Sequence, residues 1–139
     1  AGSPLTLSDE YSVFLESNRN YHYWQFLDNI GKKNLKKSLE IFHSLLITGI
    51  SHNYIVNGLT NLFVNIHSNK NYENTSGKFP VLNKILSKNI SMYSSNYSSE
   101  QIMSLFEDLY DIDKMIKKFQ YGINYKIELT ILKACNGYN

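Results

Sequence analysis

The stretch SSEQIMSLFEDLYDIDKMIKKFQ, residues 98–120, decides the fold class. Ile102, Leu105, Phe106, Leu109, Ile112, Ile116 and Phe119 recur at helical spacing and make one apolar face. Ser98 with Gln101 three residues on is a capping box, in which each side chain satisfies the other's backbone amide. The pattern predicts a helix from Ser99 to about Gln120, closed by Gly122 and about 33 Å long if unbroken. Such a helix must cross the body of a 139-residue chain, with the other elements packed around it.

Reading outward gives more helices and no strand pattern longer than four residues. Asn124 to Cys135 places Ile127, Ile131, Leu132 and Cys135 inward. His52 to about His67 carries Ile55, Leu59, Leu62, Phe63 and Ile66, with Ser51 as its cap. Leu35 to Thr48 carries a stripe of Leu35, Leu39, Phe42 and Leu46, with Ile41 and Leu45 alongside, and Gly49 ends it. Tyr21 to Ile30 precedes it, with Gly31 at the C-cap position. The short link between these two predicts an antiparallel hairpin. Pro80 opens a short segment with Val81, Leu82, Ile85 and Leu86, and Ser94–Tyr97 reads as a turn. Ser8 caps a lead-in helix from Asp9 to about Leu15. The polar stretch Ser68–Lys78 reads as a loop. The expectation is an all-α fold, a single helical bundle of five or six helices.

Composition narrows the function. Apolar residues are 42% of the chain, enough for a core without staples. The lone cysteine, Cys135, excludes an intramolecular disulfide framework and a multi-cysteine zinc site. No apolar run approaches a membrane span, and an intracellular, cytoplasmic location is expected. Seventeen Asn and thirteen Lys stand against one Arg and two Ala, a bias of AT-rich coding that says nothing of function. Ala1–Pro4 read as a cloning remnant.

Few residues point to chemistry. The glycines stand singly, so no phosphate-cradling loop exists. His22, His43, His52 and His67 lack metal-ligand spacing. Glu107, Asp108, Asp111 and Asp113 lie on a helix with lysines in reach, Asp113 and Lys117 at i,i+4, and read as a solvated face. Cys135 has no base nearby in sequence and reads as a buried thiol. Trp24, Tyr21, Tyr23 and Phe26 read as core and interface surface more than as base-stacking residues. Lys32, Lys33, Lys36 and Lys37 form the densest positive patch, and it spans a helix N-terminus, the unfavourable end for cations. A phosphate or an acidic partner would explain it; a solubilising face is the plainer account. No catalytic, cofactor or metal residues are predicted, and the domain is expected to be no enzyme.

The residue order carries a resemblance. Ser17-Asn18-Arg19-Asn20-Tyr21 leads into Phe26-Leu27-Asp28-Asn29-Ile30-Gly31-Lys32-Lys33-Asn34-Leu35-Lys36-Lys37-Ser38-Leu39, then Leu45-Leu46, Gly49 and Ile55. Leu109-Tyr110-Asp111-Ile112-Asp113, Lys117, Gly122 and Glu128-Leu129 follow. From Leu5 to Cys135 this order resembles the C-terminal part of the delta subunit of bacterial DNA polymerase III, a clamp-loader subunit. Asn18 stands between Ser17 and Arg19, where the family joins Ser to Arg directly.

The resemblance implies a helical collar domain over residues 18–139, with residues 5–17 as a lead-in helix from the preceding domain. It implies a non-catalytic structural role, holding the clamp-loader pentamer together while the sliding clamp is loaded in DNA replication. The implied partners are the gamma/tau and delta-prime subunits. The sliding clamp is reached through an N-terminal domain absent here, and DNA indirectly through the complex. Polymerase activity would belong to the holoenzyme. Arg19, Tyr21, Tyr121 and Tyr125, near helix ends, are the partner-interface candidates. Two other readings stand beside this one: a DNA-binding helical module using the Lys32–Lys37 patch, and a stand-alone helical regulatory protein.

Overall fold

The computed structural model describes residues 22–70 and 84–136. Among them there is no strand, and seven helical segments follow one another. They are α1 (residues 22–31), α2 (Leu35–Ile47), α3 (His52–Lys70), α4 (Lys84–Lys88), α5 (Ile90–Asn96), α6 (Ser99–Lys117) and α7 (Ile123–Asn136). None is long and apolar enough to cross a membrane. The predicted lead-in helix Asp9–Leu15, Arg19, Tyr21 and Pro80 lie outside the described residues.

The long helix forms as its sequence requires. Ser98 accepts from the Gln101 amide at 3.1 Å, and the Gln101 side chain accepts from the Ser98 amide at 2.9 Å. Ile102, Leu105, Leu109 and Ile112 of α6 are buried against α3 on one side and α7 on the other. α7 returns antiparallel along α2. His43 meets Glu128 at 2.7 Å, and further along the pair the Ser38 hydroxyl faces Cys135. One end of the bundle therefore holds the α1–α2 turn and the start of α6. The other holds the α2–α3 and α6–α7 turns.

The count is seven and not five or six because the segment before α6 is two helices. Asn89 interrupts the run, so Lys84–Lys88 and Ile90–Asn96 are separate. Ser94, expected in a turn, is helical and buried. Its hydroxyl donates to the Ile90 carbonyl at 2.8 Å and accepts from Asn69 at 2.9 Å, so its polarity is satisfied inside. The stripe on α2 is also rotated. Ser38, Ile41, Phe42 and Leu45 are buried, while Leu35, Leu39 and Leu46 are only partly so.

Three helices end in the same hydrogen-bond pattern, in which one residue must turn left-handed. For α2 that residue is Gly49, as expected, at φ +89°. For α1 it is Lys33 at φ 60°, with Lys33 N–H donating to Ile30 and Asn34 N–H to Asn29. Gly31, predicted for this role, is the last residue of α1 and is buried against the ring of Tyr93. For α6 it is Phe119 at φ 53°, three residues before the Gly122 that was expected to close the helix. Gly122 instead precedes α7, and its carbonyl accepts from Lys126 N–H.

Candidate protein-interaction surface

No set of three or more His, Cys, Asp or Glu among the described residues is arranged to hold a metal. The three aspartates of the predicted acidic run are each paired with a lysine. Asp108 takes Lys133 at 2.9 Å, Asp113 takes Lys117 at 2.7 Å, and Asp111 lies 3.8 Å from Lys114. The bond from Asp113 holds the Lys117 ammonium above its ordinary pKa. Lys114 also sits 4.7 Å from the Tyr110 ring centre. The histidines are dispersed: His43 meets Glu128, His52 Nε2 meets Asn124 Oδ1, and His67 stands edge-on to Phe106. Burial pushes the Cys135 thiol up, against the smaller pulls of the Ser38 hydroxyl and the Lys33 charge, so it stays protonated and unreactive.

The structure splits the predicted basic patch. Lys32 bridges to Asp28 at 2.9 Å. Lys33 lies over the Tyr97 ring, 4.5 Å from its centre, and desolvation there lowers its pKa. Lys36 and Lys37 remain exposed on the first turn of α2. Two of four lysines are thus spent on the fold, which leaves a weak footprint for phosphate.

These partners belong to a latch that fastens α5 to α1. The last carbonyls of α1 have no intrahelical donors. Tyr97 Oη donates to the Ile30 carbonyl at 2.5 Å, and Asn96 Nδ2 to the Gly31 carbonyl at 2.9 Å. Tyr93 Oη donates to Asp28 Oδ1, the carboxylate that also holds Lys32. Both tyrosine rings are buried, and desolvation is the first cause raising their pKa values; for Tyr93 the Asp28 carboxylate adds to it. Tyr23 is raised the same way, its hydroxyl reaching the Tyr54 carbonyl at 3.3 Å. The tyrosines are therefore of two kinds, and only some are available to partners.

Tyr110 is exposed along α6, and two more exposed tyrosines lie at the far end. Tyr121 is 99% exposed and Tyr125 66%. Beside them Phe119, expected on the inward face of α6, is 91% exposed. The helix stops at Lys117, so Phe119 leaves the i,i+3 series that would have turned it inward. The basic cluster Lys114, Lys117 and Lys118 marks a last helical turn and was the signal that could have placed the end there. Ile47, the last residue of α2 beside the α2–α3 turn, is 86% exposed. The His52–Asn124 bond ties that turn to the start of α7. A groove of about 490 Å³ between α3 and α6, lined by Val56, Thr60, Phe106, Tyr110 and Asp113, holds one carboxylate, already bound to Lys117.

Compared with known protein families, curated proteins and solved structures, the chain matches none.

Proposed function

We propose that this chain is a non-catalytic, protein-binding helical domain, the collar domain of a DNA polymerase III delta subunit. Its role is to hold the clamp-loader pentamer together during loading of the sliding clamp. The observation that carries the binding role is the open end of the bundle, where Phe119, Tyr121 and Tyr125 stand in solvent without ring partners among the described residues. Aromatic side chains of this kind are favoured at the centres of protein interfaces. The residue order from Ser17 to Leu129 supplies the partners, the gamma/tau and delta-prime subunits. The scattered titratable groups favour a structural role over catalysis.

The test is co-purification of the full subunit, with and without residues 5–135, with purified gamma/tau and delta-prime. Deletion should abolish or sharply weaken assembly, and the intact chain should hydrolyse no ATP by itself. Binding should persist in moderate salt. Retention of assembly after deletion overturns the reading, and so does ATP hydrolysis by the chain alone. Steep loss of binding with salt, together with DNA retention through Lys36 and Lys37, would favour the DNA-binding module instead.

A further inference from the structure

The end of α6 is built at a conformational disadvantage. Phe119 N–H donates to the Ile116 carbonyl at 3.1 Å and Gln120 N–H to Met115 at 3.0 Å, which forces Phe119 left-handed. The Cβ of any L-residue crowds the backbone there, and glycine is the residue that avoids it. α2 solves the same problem with Gly49. α1 uses Lys33, whose side chain is held over the Tyr97 ring. Phe119 has neither glycine's freedom nor a ring contact in return among the described residues. Its ring meets no other ring among the described residues, and 91% of its surface faces water. The fold alone would be better served by glycine at this position.

We propose that Phe119 is the anchor of a docking surface, flanked by Tyr121 and Tyr125, and that its occupant is an apolar pocket rimmed by carboxylates on a neighbouring subunit. The charge of the rim fixes the chemistry of the occupant. Lys118 adjoins Phe119, and Lys126 lies on the first turn of α7 next to Tyr125. Neither has an ion-pair partner among the described residues, while the nearby acids are engaged: Asp113 with Lys117, Asp111 with Lys114 and Glu128 with His43. An exposed aromatic centre with two unmatched cations at its edge complements an apolar pocket with an acidic rim, and repels a basic one. Ile47 widens the apolar area across the adjoining turn. The ring, two residues past the end of α6 and 91% exposed, is open for a partner to enclose. This assignment rests on the clamp-loader reading for the identity of the neighbouring subunit.

The experiment compares the full subunit with its Phe119→Gly, Phe119→Asn and Lys118→Glu/Lys126→Glu variants. Binding to purified gamma/tau and delta-prime is measured by calorimetry, and stability by thermal melting. Phe119→Gly should weaken binding by about 30-fold or more, as expected for a central aromatic anchor, while its melting temperature stays level or rises. Phe119→Asn, which also tolerates the left-handed conformation, should lose binding with an unchanged melt. The charge reversal should slow association and reduce its salt dependence. Wild-type affinity in Phe119→Gly overturns the anchor, and a lower melting temperature overturns the strain argument. If the wild-type subunit binds and only the variants are indifferent, the docking surface fails and the clamp-loader reading stands. If the wild type does not bind, both fail. If sedimentation shows the wild type pairing with itself through this end, the occupant is a second copy and the assignment is wrong.

Discussion

Replacing Gly31 with Ala tests the latch, because it adds one methyl group where the structure leaves no room. A Cβ on Gly31 would lie 2.6 Å from Cγ and 2.7 Å from Cε1 of Tyr93, and closer still to Cδ1. The ring has nowhere to go: Tyr93 is fully buried and its hydroxyl is bound to Asp28. The glycine cannot retreat either, because its own carbonyl accepts from Asn96. In favour of alanine stands helix propensity, about 1 kcal/mol at most for a residue in the last turn. Against it stands overpacking, about 1–3 kcal/mol. If the ring is expelled, the loss of its bond to a charged acceptor costs about 1.5–3 kcal/mol more. Contacts this short require the ring to shift and break that bond, so the net expectation is a loss of about 1.5–5 kcal/mol. Urea unfolding followed by far-ultraviolet circular dichroism measures it, with the slope unchanged if the transition stays two-state. Adding Tyr93→Leu should recover part of the loss, with a coupling above about 0.5 kcal/mol. A Gly31→Ala protein as stable as the wild type, or more so, would refute the close approach and the latch with it.

Other outcomes follow from charges and protons. Changing Asp113 and Lys117 together to Gln should leave the denaturation midpoint near that of the wild type, since the pair sits at i,i+4 on an open helix face; a large shift would mean that the pair is buried in an assembly. Alkali should unfold the protein. The Tyr23, Tyr93 and Tyr97 hydroxyls and the Cys135 thiol all have pKa values raised in the folded state, so the native protein holds protons that the unfolded chain releases. Their contribution is complete below the ordinary values of 9.0 for the thiol and 10.0 for the phenols, and falls as pH rises beyond them. Lys33, whose pKa is lowered, acts in the opposite direction but is one group against four. Urea midpoints and phenolate absorbance measured from pH 7 upward would expose the error if all eleven tyrosines titrated normally while the fold persisted.

How far the sequence could be read depended on the range of each interaction. The start of α6 was legible because Ser98 and Gln101 bond within one turn. The burial of Ile102, Leu105, Leu109 and Ile112 was legible because periodicity records a helix's own inward face. Helix ends were less so. Glycine serves both for left-handed turns and for close packing, and nothing local separates Gly49, which turns, from Gly31, which packs against a ring 62 positions further along. Tyr97 read only as the end of a turn, and nothing local showed that the hydroxyls of Tyr93 and Tyr97 reach α1. The lysine patch dissolved for the same reason: Asp28 was near in sequence, but the Tyr97 ring under Lys33 was not. For the candidate surface, Tyr121 and Tyr125 were nameable from their place near helix ends. Phe119 was missed because an unbroken i,i+3 series was assumed to run to Gln120.

The two ends of the bundle face the same physical problem and treat it differently. Every helix end presents carbonyls without intrahelical donors, and every turn exposes side chains that the core cannot cover. At the latch end the left-handed turn of α1 is reinforced from α5: Asn96 and Tyr97 donate to the last carbonyls of α1, and the rings of Tyr93 and Tyr97 seal the turn. At the other end α6 makes the same left-handed turn that α1 makes, but Phe119 and Tyr121 beside it stay exposed and meet no ring among the described residues. The first arrangement couples each residue to several others, so substitutions there act on stability. The second leaves large aromatic side chains without such coupling among the described residues, so substitutions there should spare the fold. Under the proposed protein-binding role that separation is an advantage: a contact surface at the α6–α7 end can change to suit a partner without disturbing the bonds that hold the helices together.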